Sequence, residues 1–146
     1  EWTPPPLPSD EPPLPPGAVM RFRPPGRGGI LSGDGRVFAH RGNEGRAVTI
    51  LDVKTGRVRR EFPEFPGISH LSFDGRLAAG SAGDLILIWR TSDGVVLSEF
   101  HRPPQVDNQF MFGFGPGGHT LLAPATDRTH VCKIDLASPE NVERLK

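Results

Sequence analysis

Between residues 71 and 100 the chain reads LSFDGRLAAGSAGDLILIWRTSDGVVLSEF. Short apolar runs alternate there with turn dipeptides: Asp74-Gly75, Gly83-Asp84 and Asp93-Gly94. Asp-Gly favours a tight type I′ hairpin, because both central residues of that turn need positive φ and glycine carries no Cβ penalty. The pattern predicts three hairpins in succession, a four-stranded antiparallel meander. In Leu85-Ile86-Leu87-Ile88-Trp89 both the odd and the even positions are apolar. Alternate residues of a strand point to opposite sheet faces, so both faces of this sheet need burial. Like sheets stacked on either side meet that demand.

The same plan recurs on both sides. Leu31-Ser32-Gly33-Asp34-Gly35-Arg36 matches Leu71-Ser72-Phe73-Asp74-Gly75-Arg76 and then Phe114-Gly115-Pro116-Gly117-Gly118-His119. The turn glycines Gly35, Gly75 and Gly118 are 40 and 43 residues apart. Leu51-Asp52 aligns with Trp89-Arg90 and Ile134-Asp135. Gly56, Gly94 and Pro139 follow at one common offset, then Phe62, Phe100 and Leu145 at another. A repeat of this length is the mark of stacked supersecondary units. Ala47-Val48-Thr49-Ile50-Leu51 repeats the doubly apolar strand more weakly. In the third copy Thr129-His130-Val131-Cys132-Lys133-Ile134 alternates instead, which predicts a wetter outer face of a terminal unit.

The stretch before the repeats differs in kind. Residues 1–18, EWTPPPLPSDEPPLPPGA, are dominated by proline, which blocks helix and removes ladder donors. This is read as an extended or disordered spacer. Its PxxP-like spacings, around Pro5-Leu7-Pro8 and from Pro12 to Pro15, are of the sort that SH3 or WW grooves read, but they arise freely in any proline-rich tract. Residues 18–23, AVMRFR, predict a short strand ended by PPGRGG. The organisation expected is a linker at 1–18 and units at 19–62, 63–100 and 101–146.

Composition narrows the function classes. Seventeen Lys and Arg balance seventeen Asp and Glu. That zero net charge argues against nucleic acid or an anionic membrane surface as partner. No apolar run approaches the roughly 18 residues of a membrane-spanning segment. Cys132 is the sole cysteine, so no intrachain disulfide forms, and a lone thiol suits any compartment, the cytoplasm included.

LSFDGRLAAGSAGDLILIWRTSDG resembles the WD40-repeat pattern FSPDGRxLASGSxDGTVRLWDxxTG. The resemblance covers residues 29–146 and is best in the second copy. It implies an all-β fold, three four-stranded antiparallel blades of a WD40-like β-propeller, with strands near 68–73, 76–81, 85–91 and 95–100 in the second. Trp89 falls on the family's tryptophan, and Asp52 and Asp135 on the aspartate of its Trp-Asp pair. Arg90 departs from that aspartate, and Leu51 and Ile134 from the tryptophan. The family's His–Ser/Thr–Asp–Trp hydrogen-bond network would draw on Ser81 and Trp89. Residues 13–18 also resemble the linker that precedes propellers in some large bacterial multidomain proteins. Propellers have typically 4 to 8 blades, so three predict an incomplete ring, part of a longer propeller or one that associates with other copies through open edges.

No catalytic or cofactor constellation is expected. His40, His70, His101, His119 and His130 sit at different offsets of the repeat, and none shows metal-ligand spacing. His130 and Cys132 share a strand face but are two ligands only. Cys132 within a strand reads as a small buried hydrophobe. Ser81 in Gly80-Ser81-Ala82-Gly83 lacks the strand-to-helix context of a nucleophile elbow. Arg57, Arg59 and Arg60 read as the solvated edge of an outer strand, and alternatively as a patch for an acidic partner. The function implied is a non-catalytic protein-interaction scaffold. Its partners would be held by loops on rigid sheets: Gly42, Asn43 and Glu44, and His101, Arg102, Gln105, Asp107 and Asn108. The alternatives are a sensory or substrate-recruiting appendage of a bacterial kinase or protease, and a small-molecule-binding or hydrolytic propeller with polar groups converging on its channel.

Overall fold

The computed structural model describes Pro16 and residues 28–41, 47–63, 68–107 and 113–145. The spacer, the 18–23 segment, Gly42, Asn43, Glu44 and Asn108 therefore lie outside the described residues, Pro16 alone excepted. Three four-stranded antiparallel sheets are present, each a meander in chain order. Blade 1 holds β1 (Gly29–Leu31), β2 (Val37–Arg41), β3 (Val48–Asp52) and β4 (Val58–Phe62). Blade 2 holds β5 (His70–Leu71), β6 (Leu77–Ala82), β7 (Leu85–Arg90) and β8 (Val96–His101). Blade 3 holds β9 (Gly113–Phe114), β10 (Thr120–Pro124), β11 (Val131–Asp135) and β12 (Val142–Leu145). The ring is open.

The repeat register holds at the level of hydrogen bonds. Ser32, Ser72 and Gly115 each donate a backbone N–H to the residue five further on, at 2.8, 2.9 and 2.9 Å. Gly35, Gly75 and Gly118 donate back to those same three residues at 2.9, 3.0 and 3.1 Å. Phe62, Phe100 and Leu145 pair with Val48, Ile86 and Val131, one position in three copies. Even the irregularity repeats: the register shifts between Ile50 and Leu51 and between Ile88 and Trp89, leaving Arg59 and Leu97 as bulged residues.

The Asp-Gly turns are not of type I′. Only their glycines have positive φ, 72° at Gly35 and 70° at Gly75, and Arg128 is the sole non-glycine with positive φ among the described residues. Asp34 and Asp74 instead act as local acceptors. Asp34 Oδ1 takes the Ser32 hydroxyl at 2.7 Å and the Arg36 N–H at 3.0 Å, and Asp74 Oδ1 takes Ser72 and Arg76 at 2.8 and 3.0 Å. The serine oxygens accept from Val37 and Leu77 N–H, each at 3.0 Å. These side chains take up backbone donors inside a four-residue loop. At Gly83-Asp84 glycine comes first with φ 62° and the aspartate stays negative, the sign pattern of a two-residue type II′ turn.

Two cores lie between the sheets. Blade 2 sends Ala78, Leu87 and Trp89 against Val37, Ala39, Val48 and Ile50 of blade 1. It sends Ala79, Ile86 and Ile88 against Leu121, Ala123, Cys132 and Ile134 of blade 3. The doubly apolar strand thus meets a sheet on each side, and each buried aliphatic side chain contributes about 1.5–3 kcal/mol. Trp89, fully buried, meets the Phe62 ring edge-on at 5.3 Å. The outer face of blade 3 is wetter, with Val131 42% exposed and Lys133 paired to Glu143 at 2.8 Å. On blade 1 the face away from blade 2 is dry at His40, Thr49 and Leu51.

Candidate functional site: the linker face

Hairpin meanders put alternate connections at opposite ends of each sheet. The Asp-Gly turns and the turns between third and fourth strands share one end, the turn face. The hairpins joining β6 to β7 and β10 to β11, with the inter-blade linker 102–107, share the other, the linker face. On the linker face a groove of ≈ 480 Å³ separates blades 2 and 3, walled by Asp84, Arg102, Pro104, Asp107, Thr126 and Arg128, with Val106 in its floor.

The linker is anchored before it can serve as a wall. Arg102 N–H donates to Asp84 O, Asp107 N–H to Pro124 O and Thr126 N–H to Gln105 O, each at 2.9 Å. Val106 bridges to Ala125 and is buried, and Asp107 is buried beside it, so the backbone lies flat on blade 3 while Gln105 stays exposed. Arg102 Nη2 meets Asp84 Oδ1 at 2.6 Å, and the His101 ring lies 3.6 Å from the same carboxylate. Across the groove Arg128 Nε donates to Asp107 Oδ2 at 2.7 Å. Arg128 reaches it from the positive-φ position of its hairpin, φ 57°.

Of the loop residues expected to touch partners, the structure brings His101, Arg102, Gln105 and Asp107 to one face. Gly42, Asn43, Glu44 and Asn108 lie outside the described residues. The 42–46 connection joins the second and third strands of blade 1. By the repeat register its equivalents are Gly83-Asp84 and residues 126–128. Those supply Asp84, Thr126 and Arg128, which the sequence reading overlooked although the register pointed to them.

Ser81 and Trp89 do not meet. Ser81 pairs with Ile86, on the face toward blade 3, while Trp89 pairs with Ala78, toward blade 1. Period-two alternation separates them, so the network implied by the resemblance does not join this pair. The turns between third and fourth strands are held otherwise. Asp52 accepts from Thr55 N–H at 2.9 Å and from Arg59 Nε at 3.1 Å. Where Arg90 replaces that aspartate, it pairs with Asp93, which accepts from Val95 N–H at 3.1 Å. Hydrogen bonds from Arg59 and Arg90 hold Asp52 and Asp93 below the usual carboxylate range.

Cys132 is buried, with Sγ 3.7 Å from Gln105 O, and burial pushes its thiol pKa up. The His130 ring is 2.9 Å from Asp127 Oδ2, and Arg144 contacts both. Among the described residues no three His, Cys, Asp or Glu side chains group as a metal site.

Neither family models nor curated proteins match the sequence. Solved structures do match the fold. The WD40 repeats of RRP9 superpose with TM-score 0.55 at 22% identity, over 80% of this chain and 37% of theirs. The Cps50 (Swd1) β-propeller domain of Myceliophteria thermophila gives 0.56 at 19% identity, over 81% and 38%. The WD40 domain of SCAP from fission yeast gives 0.54 at 13%, over 80% and 32%. The chain spans about a third of the length of these structures. Its three sheets are consecutive blades with the fold of a WD40-repeat β-propeller.

Proposed function

We propose that the chain is a non-catalytic protein-interaction module that holds a polypeptide partner on its linker face. The observation that carries this reading is the groove between blades 2 and 3. Two ion pairs, Arg102–Asp84 and Arg128–Asp107, wall it at 2.6 and 2.7 Å, and they come from three separate connections set on rigid sheets. Such a surface offers both signs of charge beside the exposed ring of Pro104. That mixture suits a polypeptide, which carries both charged side chains and apolar ones, and it is set where loop changes alter binding without disturbing the core.

The test is site-specific photocrosslinking in cell extract, with the photoreactive residue at Gln105 or, as control, at Leu97 on the outer strand β8. Polypeptide adducts from Gln105, absent from Leu97 and lost in the Arg102→Ala/Arg128→Ala variant, support the reading. Adducts from both positions, or adducts unchanged in the double variant, refute it.

A recruiting appendage of a signalling enzyme would use the same face; a kinase or protease domain in the same polypeptide distinguishes it from a scaffold. Self-association through the outer face of blade 3 is favoured by exposed Val131. A concentration-independent monomer in sedimentation removes that reading.

A further inference from the structure

The turn face carries a second groove, ≈ 530 Å³, between blades 1 and 2. Its lining holds five arginines, Arg36, Arg59, Arg60, Arg76 and Arg90, against two aspartates, Asp34 and Asp74. Cations outnumber anions in this lining, in a chain whose formal charges sum to zero. The five are not equivalent. Arg59 and Arg90 are ion-paired with Asp52 and Asp93. Arg60 spends its Nε on Ser92 O at 2.9 Å, which spans the two blades and fixes its guanidinium over the groove.

Arg36 and Arg76 stand apart. They occupy one repeat position in successive blades, and their side chains are 82% and 86% exposed. Their contacts with Asp34 and Asp74 are loose, 3.8 and 3.6 Å, beyond hydrogen-bond length. Those carboxylates are already engaged by the serine hydroxyls and turn N–H groups. The ion pairs therefore leave the guanidinium donors of Arg36 and Arg76 pointing to open space. The third copy continues the series with exposed His119.

We propose that this groove binds an acidic peptide segment, seating an anionic side chain among Arg36, Arg60 and Arg76. A guanidinium presents donors in a planar fork that matches a carboxylate or a phosphoryl group. Arg60 supplies a pre-positioned cation, and the two exposed arginines reach the anion from neighbouring blades. Both anions satisfy this geometry: Asp or Glu side chains, and phosphorylated side chains. The proposal rests on the chain being an interaction module but uses the opposite face, so the two readings fail separately.

The experiment is fluorescence anisotropy on the full chain with three probes: a Glu-rich peptide, the same peptide with phosphoserines, and a single-stranded oligonucleotide of equal charge. The variants are Arg36→Glu/Arg76→Glu on the turn face and Arg128→Ala on the linker face. The expected result is salt-sensitive binding of one or both peptides. It weakens at least about tenfold in the double variant, as for loss of one charge-assisted hydrogen bond, and is unchanged in Arg128→Ala. The more tightly held peptide identifies the anion. An oligonucleotide bound as tightly as the peptides shows a general polyanion patch and overturns the proposal. So does an unchanged affinity in the double variant, or no binding of either peptide. Arg36→Gln/Arg76→Gln serves as a second variant should charge reversal shift the melting temperature. No crosslinks from Gln105 in the unsubstituted chain, with peptide binding intact, refutes the linker-face site alone.

Discussion

Replacing Gly75 with alanine tests blade stacking and turn chemistry together, because Gly35 provides an internal control. Both glycines fill the same turn position, at φ 70° and 72°. Alanine costs about 1–2 kcal/mol at such a φ, offset in part by about 0.4–1 kcal/mol from a less flexible unfolded chain. At Gly35 that is the whole effect, since an added Cβ meets nothing within 4 Å. At Gly75 the added Cβ lies 2.5 Å from Val37 Cγ2 and 2.6 Å from Val37 Cβ, on the neighbouring blade. Val37 is buried, with little room to retreat. Overpacking of that kind adds roughly 1–3 kcal/mol. The expected losses are thus about 1 kcal/mol for Gly35→Ala and about 2–4 kcal/mol for Gly75→Ala. Urea titration of each purified variant, followed by tryptophan fluorescence, measures both. Equal losses, or a larger loss at Gly35, refute the packing of the blade 2 turn on Val37.

Three further outcomes follow from particular contacts. Ser72→Ala removes the acceptor of the Leu77 N–H beneath a buried serine, and Ser32→Ala does the same for Val37; each is expected to cost about 1–3 kcal/mol in chemical denaturation. Asp34, Asp52, Asp74 and Asp93 all have lowered pKa values, so they favour the folded state while ionised. Their contribution is complete above the unfolded carboxylate value near 4 and is lost as pH falls through the lower folded values; the melting temperature should drop from about pH 4 downward, and a flat profile there contradicts the turn geometry. Cys132, buried and with its thiol pushed up, should react with an aromatic disulfide reagent only after denaturant is added; rapid native labelling refutes its place between blades 2 and 3.

Much of the architecture is local and therefore readable along the chain. Apolar alternation and glycine placement specify the hairpins, and the repeated offsets specify their register. Doubly apolar Leu85 to Trp89 already demands two neighbouring sheets, and the structure supplies them. Turn type was less legible, because Asp-Gly serves several turns, and the choice is made by Ser32 and Ser72 reaching across four residues to a ladder N–H. The separation of Ser81 from Trp89 depends on which face of β6 and β7 each side chain takes in the stacked sheets. The two grooves are a matter of tertiary structure alone. Arg36, Arg60, Arg76 and Arg90 are scattered over the sequence and converge only because one blade stacks on the next. Residues 57–60 read as a solvated edge when taken along the strand. Stacking puts Arg60 against Ser92 of the next blade, and an edge becomes the wall of a groove.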